Sequence, residues 1–116
     1  MSNKQTTIKS SVSLEGVGIH TGKDVKLSFK PADPDTGYVF KRLDLDGSPS
    51  IEALSKYVIN TQRGTTLEKN GVKLKTIEHV LAALVGLEID NVLIEINAEE
   101  PPIMDGSSKF FVDALE

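Results

Sequence analysis

Glu78 and His79 are the two adjacent residues whose side chains are best suited to chemistry in this sequence. They fall near the start of a predicted helix, because four apolar residues recur at i, i+3, i+4 and i+7: Ile77, Val80, Leu81 and Leu84. Thr76 is the expected N-cap, which puts both residues in the first turn, where free backbone N–H groups and the positive end of the helix dipole gather. One helical turn would then present a carboxylate and an imidazole together, a pairing suited to proton transfer or to metal binding.

The pair alone does not specify a site. It is not HExxH, in which two histidines share one helical face. A histidine at a helix start is more often an ordinary hydrogen-bonding residue, and Glu78 could be a first-turn acid that the dipole favours. Asp105 in MDGS has the commoner reading of a turn residue that bonds its own backbone. His20 lies in the glycine-rich GVGIHTG and has the plainer reading of an incidental histidine in a tight connection.

Composition narrows the class of protein. A chain of 116 residues, 39% hydrophobic and 26% charged, is expected to form one soluble globular domain. The net charge of −4 is spread without blocks, which argues against a nucleic-acid partner. The chain has no cysteine, which excludes disulfides and thiolate metal sites and fits a cytoplasmic protein. No apolar run is long enough for a membrane span, and the polar start is not typical of a signal peptide.

Strands are predicted on both sides of the helix. Alternating apolar residues indicate strands at 8–14 and 24–30, and residues 38–45 read as a returning strand near an edge because of their charges. Residues 51–54 fit helix or strand equally.

Further along, short strands at 57–59 and 65–67 are followed by Asn70-Gly71, a strong hairpin signal before 72–74. The near-continuous apolar run at 91–97 predicts a central strand. A last helix is expected from Ser107 or Ser108. The order predicts an α+β fold: a two-layer sandwich with a mainly antiparallel sheet of about five strands and two helices on one face.

The second face of the central helix is nearly free of large side chains, because Ala82, Ala83 and Gly86 lie on it. We expect another part of the protein to cover this face. The final predicted helix is still in phase at Glu116, so the chain is expected to be one piece of a longer protein.

Four blocks, in this order, together resemble one known family: GVGIHTG at 16–22, KTIEHVLAAL at 75–84, GLEIDNVLIEIN at 86–97 and PIMDGSS at 102–108. The family is UDP-3-O-acyl-N-acetylglucosamine deacetylase, the zinc amidase of lipid A biosynthesis. The resemblance covers the chain from about Thr6 onward. It implies that residues 1–116 are the first, N-terminal domain of a two-domain enzyme whose domains face one another across the active site.

The resemblance also implies roles for single residues. His79 matches a zinc ligand and Glu78 matches the general base that takes a proton from water as the N-acetyl group is attacked. His20 and Asp105 match residues beside the site, with supporting and structural roles. The family's other zinc ligands, a His and an Asp, belong to the second domain, as does a histidine acting as general acid.

By the same resemblance, the substrate is an acylated UDP-sugar. The isolated chain is expected to be inactive, to bind Zn²⁺ weakly and to be prone to self-association through the small-residue face. Two alternatives remain open at this point: a non-catalytic interaction module, or a different hydrolase on the same scaffold.

Overall fold

The computed structural model of the chain describes residues 5–17, 24–61, 64–102 and 115. Within these residues the fold is α+β, with strands dominating. In chain order the elements are β1 (Val12–Val17), β2 (Asp24–Pro31), β3 (Tyr38–Arg42), β4 (Ser50–Glu52), a short 3-10 helix (Ser55–Tyr57), β5 (Val58–Thr61), β6 (Gly64–Lys69), β7 (Val72–Leu74), α1 (Glu78–Gly86) and β8 (Val92–Ile96).

The larger sheet has five strands in the order β1-β2-β8-β3-β4. Its neighbours are antiparallel except for β3 and β8, which run parallel with Phe40 opposite Ile94. The prediction of a central strand at 91–97 is confirmed, because β8 is the middle strand. The prediction that 38–45 lies near an edge is confirmed, because β3 is not itself an edge strand but lies between β8 and the edge strand β4.

Arg42 explains why a strand with charged residues can lie inside the sheet. Its side chain is only 7% exposed. Its Nε and Nη2 atoms donate to the two carboxylate oxygens of Asp44 at 2.8 and 2.7 Å, and Nη1 donates to the Lys73 carbonyl at 2.8 Å. The charge is therefore buried with its hydrogen bonds made, which is the condition for keeping an ionised group inside a protein.

The core lies between one face of the larger sheet and α1. Alternation along β2 buries Val25, Leu27 and Phe29, as its sequence predicts. The apolar stripe of α1 meets them, with Ile77, Val80 and Leu84 fully buried and Leu81 partly buried. Burial of this stripe, more than intrinsic helix propensity, accounts for a helix of nine residues, which would be marginal alone in water.

A second sheet of three strands, β5-β6-β7, was not predicted as a separate unit. Its β6–β7 hairpin turns at Asn70 and Gly71, both with positive φ (53° and 82°), as expected for an Asn-Gly turn. Leu67 and Leu74 project from it into the common core. The hairpin leads directly into α1, so this sheet fixes the point at which the helix begins.

The two predictions about helix faces have different outcomes. Ala82 and Gly86 are exposed, and Val85 beside them is 65% exposed, but Ala83 is buried against the core. The prediction that Ala83 shares the outer face is therefore wrong. The uncovered face of α1 consists of Ala82, Val85 and Gly86, and we call it the outer face of α1.

The predicted second helix lies almost wholly outside the described residues. Leu115 is described and helical, and it packs against the core. The arrangement of two helices on one sheet is therefore neither borne out nor excluded. Over the described ranges, no helix combines the length and apolarity needed to cross a membrane.

Candidate functional site

The candidate site is built on the first turn of α1. The helix begins at Glu78, so Glu78 and His79 occupy its first two positions, and both side chains are partly buried. The prediction of Thr76 as N-cap is wrong: Ile77 is the cap residue and makes no side-chain cap bond. Thr76 instead has a left-handed φ of 57°, and its hydroxyl donates to Glu100 Oε2.

The Glu78 carboxylate is held against the second sheet by the backbone of Thr65. The Thr65 N–H donates to Glu78 Oε1 at 3.2 Å, and the Thr65 carbonyl accepts from the Ile77 N–H at 3.2 Å. One residue of β6 thus contacts both the helix start and the carboxylate. This hydrogen bond restrains the position of the carboxylate, as a positioned proton acceptor requires.

The segment before the helix is also held by the residues that follow β8. The Lys75 N–H donates to the Glu99 carbonyl at 2.8 Å, and Lys75 Nζ lies 2.7 Å from Glu99 Oε1. The next residue repeats the connection through side chains, since Thr76 Oγ1 donates to Glu100 Oε2 at 2.7 Å. The start of α1 is therefore held by hydrogen bonds both to the second sheet and to the residues that follow the central strand β8.

The metal-binding capacity of the described residues is limited to part of a site. His79 offers an imidazole nitrogen on a fixed helical turn, a ligand type that zinc accepts, with the Glu78 carboxylate next to it. Among the residues described, no three His, Cys, Asp or Glu side chains come together as a metal cage. The donors present fit one ligand and a neighbouring base, and a complete set needs groups from elsewhere.

His20 and Asp105 both lie outside the described residues. His20 belongs to the connection between β1 and β2, and Asp105 follows the last described stretch of chain, which ends at Pro102. Their predicted supporting roles therefore stay predictions.

Two residues at the site were not found from the sequence. Thr65 is 13 residues from Glu78, and Glu100 is 24 residues from Thr76. Neither separation corresponds to a local pattern, because these contacts exist only once β6 and β8 have folded beside α1. The only sequence signal for Glu100 was the glutamate itself, one of two acids before Pro101-Pro102.

Comparison with known proteins identifies the family. The profile of LpxC, UDP-3-O-acyl N-acetylglycosamine deacetylase, matches residues 5–116. The chain belongs to the LpxC family. The resemblance drawn from four sequence blocks is thereby confirmed.

Individual relatives of the LpxC family are similar over nearly the whole chain. A protein of Bacteroides thetaiotaomicron named bifunctional enzyme LpxC/FabZ is 50% identical over 113 residues, which are 97% of this chain and 24% of that protein. A protein of Marinobacter nauticus named UDP-3-O-acyl-N-acetylglucosamine deacetylase is 47% identical over 113 residues, again 97% of this chain but 37% of that protein. The chain thus spans between about a quarter and about two fifths of the length of these relatives.

Proposed function

We propose that residues 1–116 are the N-terminal domain of a two-domain, zinc-dependent deacetylase of the cytoplasm. Its reaction removes the N-acetyl group from UDP-3-O-(3-hydroxyacyl)-N-acetylglucosamine, a step in lipid A biosynthesis. The observation that carries this proposal is the placement of Glu78 and His79 together on the first turn of α1 in a chain of the LpxC family. The share of its relatives that the chain spans supports a further domain.

His79 would hold the metal with ligands from outside the described residues, and Glu78 would act as general base. A zinc ion bound there would supply Lewis acidity, polarising the amide carbonyl and lowering the pKa of a bound water far below that of bulk water. Glu78 accepts a proton from the attacking water, and its bond to the Thr65 N–H keeps the carboxylate directed to one place. Water adds to the amide carbon, the proton that it gave up is returned to the sugar nitrogen as the C–N bond breaks, and the products are acetate and the free 2-amine of the sugar.

The outer face of α1 is the surface that we propose the second domain covers. The face runs along the same helix that carries Glu78 and His79, so a domain seated on it would stand beside the site. Its exposed Val85 has the apolar character of a surface that another domain covers.

The experiment that tests this function uses the full-length protein and the acylated UDP-sugar. His79→Ala is expected to lose zinc and nearly all turnover, because three ligands fall to two. His20→Ala is the matched comparison: it is expected to keep stoichiometric zinc, since its role is supporting. Metal content by atomic absorption separates the two, and a His79→Ala protein with full zinc and normal rate would show that His79 is not a ligand.

Glu78→Gln tests the base independently of the metal. Zinc should be retained, while turnover falls by about 10²–10⁴-fold, the usual worth of a positioned base. Glu88→Gln, an exposed acid just beyond the same helix, is the control and should keep the wild-type rate. A Glu78→Gln enzyme with a normal rate and an unchanged acidic limb in its pH–rate profile would remove Glu78 from the mechanism.

A further inference from the structure

The residue between the two supports of the helix start has an unusual conformation. The Lys75 N–H donates to the carbonyl of Glu99, which follows β8, at 2.8 Å, and the Ile77 N–H donates to a carbonyl of β6 at 3.2 Å. Thr76, between them, has a φ of 57°. A left-handed φ is a genuine outlier for a β-branched residue, because its side chain crowds the backbone. Such a conformation persists only where the surroundings enforce it, and it is found most often at functional sites.

Glu100 helps to hold Thr76 in this conformation, although burying its own carboxyl group is unfavourable. Its side chain is fully buried, with no exposed surface. A buried carboxyl group is tolerated only when it is hydrogen-bonded, and Thr76 Oγ1 donates to Glu100 Oε2 at 2.7 Å. Two unfavourable features, a strained threonine and a buried acid, are thus joined by a hydrogen bond two residues before Glu78.

We propose that Thr76 and Glu100 are a pair of positioning residues for the Glu78–His79 site. Their hydrogen bond holds the backbone of Thr76 in the left-handed conformation, and that conformation sets the direction in which α1 leaves the hairpin. Because Glu78 and His79 are the first two residues of α1, the direction of the first helical turn determines the orientation of both side chains. Neither Thr76 nor Glu100 touches the substrate. This role rests on the proposed function.

The size of the effect follows from how strictly catalytic groups must be placed. A mutation far from the reacting atoms that misplaces a catalytic group by about 1 Å can cost about 10²-fold in rate. Loss of a residue that orients a metal ligand typically costs about 10–100-fold in metal affinity or activity. Breaking the bond between Thr76 and Glu100 should therefore lower turnover and zinc affinity together, because one backbone conformation serves both Glu78 and His79.

Thr76→Val in the full-length protein is the direct test, since valine keeps the shape of threonine and removes only the hydroxyl. We expect kcat to fall by about 10–100-fold with KM nearly unchanged, and zinc affinity, measured by competition with a chelator, to weaken by about tenfold. Thr76→Ser keeps the hydroxyl and should keep kcat within about threefold of the wild type. Glu100→Ala should lower kcat and zinc affinity at least as much as Thr76→Val, and the double variant should be no worse than Glu100→Ala alone, because the two residues act as a unit.

Thr7→Val is the matched control for a general loss of stability. Thr7 is more exposed than Thr76, but its hydroxyl likewise makes a part-buried hydrogen bond: it donates to the Asn91 carbonyl at 2.5 Å, accepts from the Ala32 N–H at 3.1 Å, and lies away from the helix start. Rates are compared per folded molecule, with the folded fraction taken from circular dichroism. Thr7→Val should lose stability and keep both kcat and zinc affinity.

Three outcomes decide the matter. A Thr76→Val enzyme with kcat and zinc affinity within about twofold of wild type, or with losses equal to those of Thr7→Val, overturns the positioning role. Thr76→Val losses that Thr76→Ser restores support it. A wild-type protein that does not deacetylate the acylated UDP-sugar overturns the proposed function and the positioning role with it, whereas an active wild type with an unaffected Thr76→Val overturns the positioning role alone.

Discussion

Replacing Arg42 should show how strongly the packing of the smaller sheet on the larger one depends on one buried charge. Its guanidinium makes two hydrogen bonds to Asp44 at the end of β3 and one to the Lys73 carbonyl on β7. We expect Arg42→Met to destabilise the domain and to loosen the smaller sheet from the larger one. Methionine keeps much of the volume of the side chain, so the loss reports mainly on the charge and its bonds.

The magnitude can be bounded from the exposure of the partners. Hydrogen bonds to charged groups contribute about 1.5–3 kcal/mol each, and breaking a buried pair costs about 3–5 kcal/mol. The Asp44 side chain is 32% exposed and can turn to water, which reduces the cost of losing Arg42. We therefore expect a loss of about 2–4 kcal/mol, a large part of the 5–15 kcal/mol that is typical of a domain.

Urea unfolding followed by circular dichroism measures this loss. Lys75→Met is the matched control, because the Lys75–Glu99 pair has the same 2.7 Å separation while its side chains are 44% and 36% exposed. An exposed pair contributes about 0–1 kcal/mol. If Arg42→Met cost no more than Lys75→Met, burial would not be what makes the Arg42 bonds strong, and our account of why β3 tolerates an internal charge would fail.

Three further predictions concern the chain of 116 residues by itself. Calorimetric titration should find zinc binding weaker than about micromolar, because the described residues offer no three-ligand cage, and stoichiometric submicromolar binding would contradict this. Sedimentation should show self-association that Val85→Glu on the outer face of α1 abolishes and Leu54→Glu, at another exposed apolar residue, does not; equal effects would refute the surface. Burial, and secondarily the Asp90 carboxylate, raises the pKa of Tyr38, so stability should fall as pH rises from about 10 through the raised folded-state value. Tyr38→Phe should remove that part of the alkaline loss and cost about 0.5–1.5 kcal/mol near neutrality through its lost bond to the Ile89 carbonyl, and an unchanged slope of unfolding free energy above about pH 10 would disprove the assignment.

The sequence predicted those elements whose pattern is local. Alternation along β2 and the apolar stripe of α1 each mark a face that is buried in the structure. The near-continuous apolar run of β8 indicated a central strand, and β8 is the middle strand of its sheet. The Asn70-Gly71 turn followed from the conformational freedom of two residues.

The sequence failed where a distant partner changes the meaning of a residue. The charges of β3 indicated a strand near an edge, and β3 does lie beside the edge strand β4, but they did not indicate that Arg42 is buried and donates to a carbonyl on β7, 31 residues further on. Thr76 is of a residue type that is favoured at N-caps, but Ile77 is the N-cap and the Thr76 hydroxyl donates to Glu100. Ala83 looked like part of a small-residue face because alanine fits a buried or an exposed position equally, and only packing decides between them.

The position of β8 also determines when these parts can come together during synthesis. β2 and β3 are neighbours of β8 on its two sides and do not pair with one another, so until β8 emerges the larger sheet exists only as two hairpin-like halves. Each half then presents an open strand edge, the kind of surface that promotes aggregation of incomplete chains. The parallel pairing of β3 with β8 spans all of residues 43–91, a long-range contact of the kind that slows folding.

Glu99 and Glu100 leave the ribosome directly after β8. The residues next to this strand therefore supply the Glu100 carboxylate, which accepts from the Thr76 hydroxyl, and the Glu99 carbonyl, which accepts from the Lys75 N–H. Completion of the larger sheet and alignment of the Glu78–His79 turn would be one event, so that a nascent chain acquires its site only when β8 covers the open edges of β2 and β3.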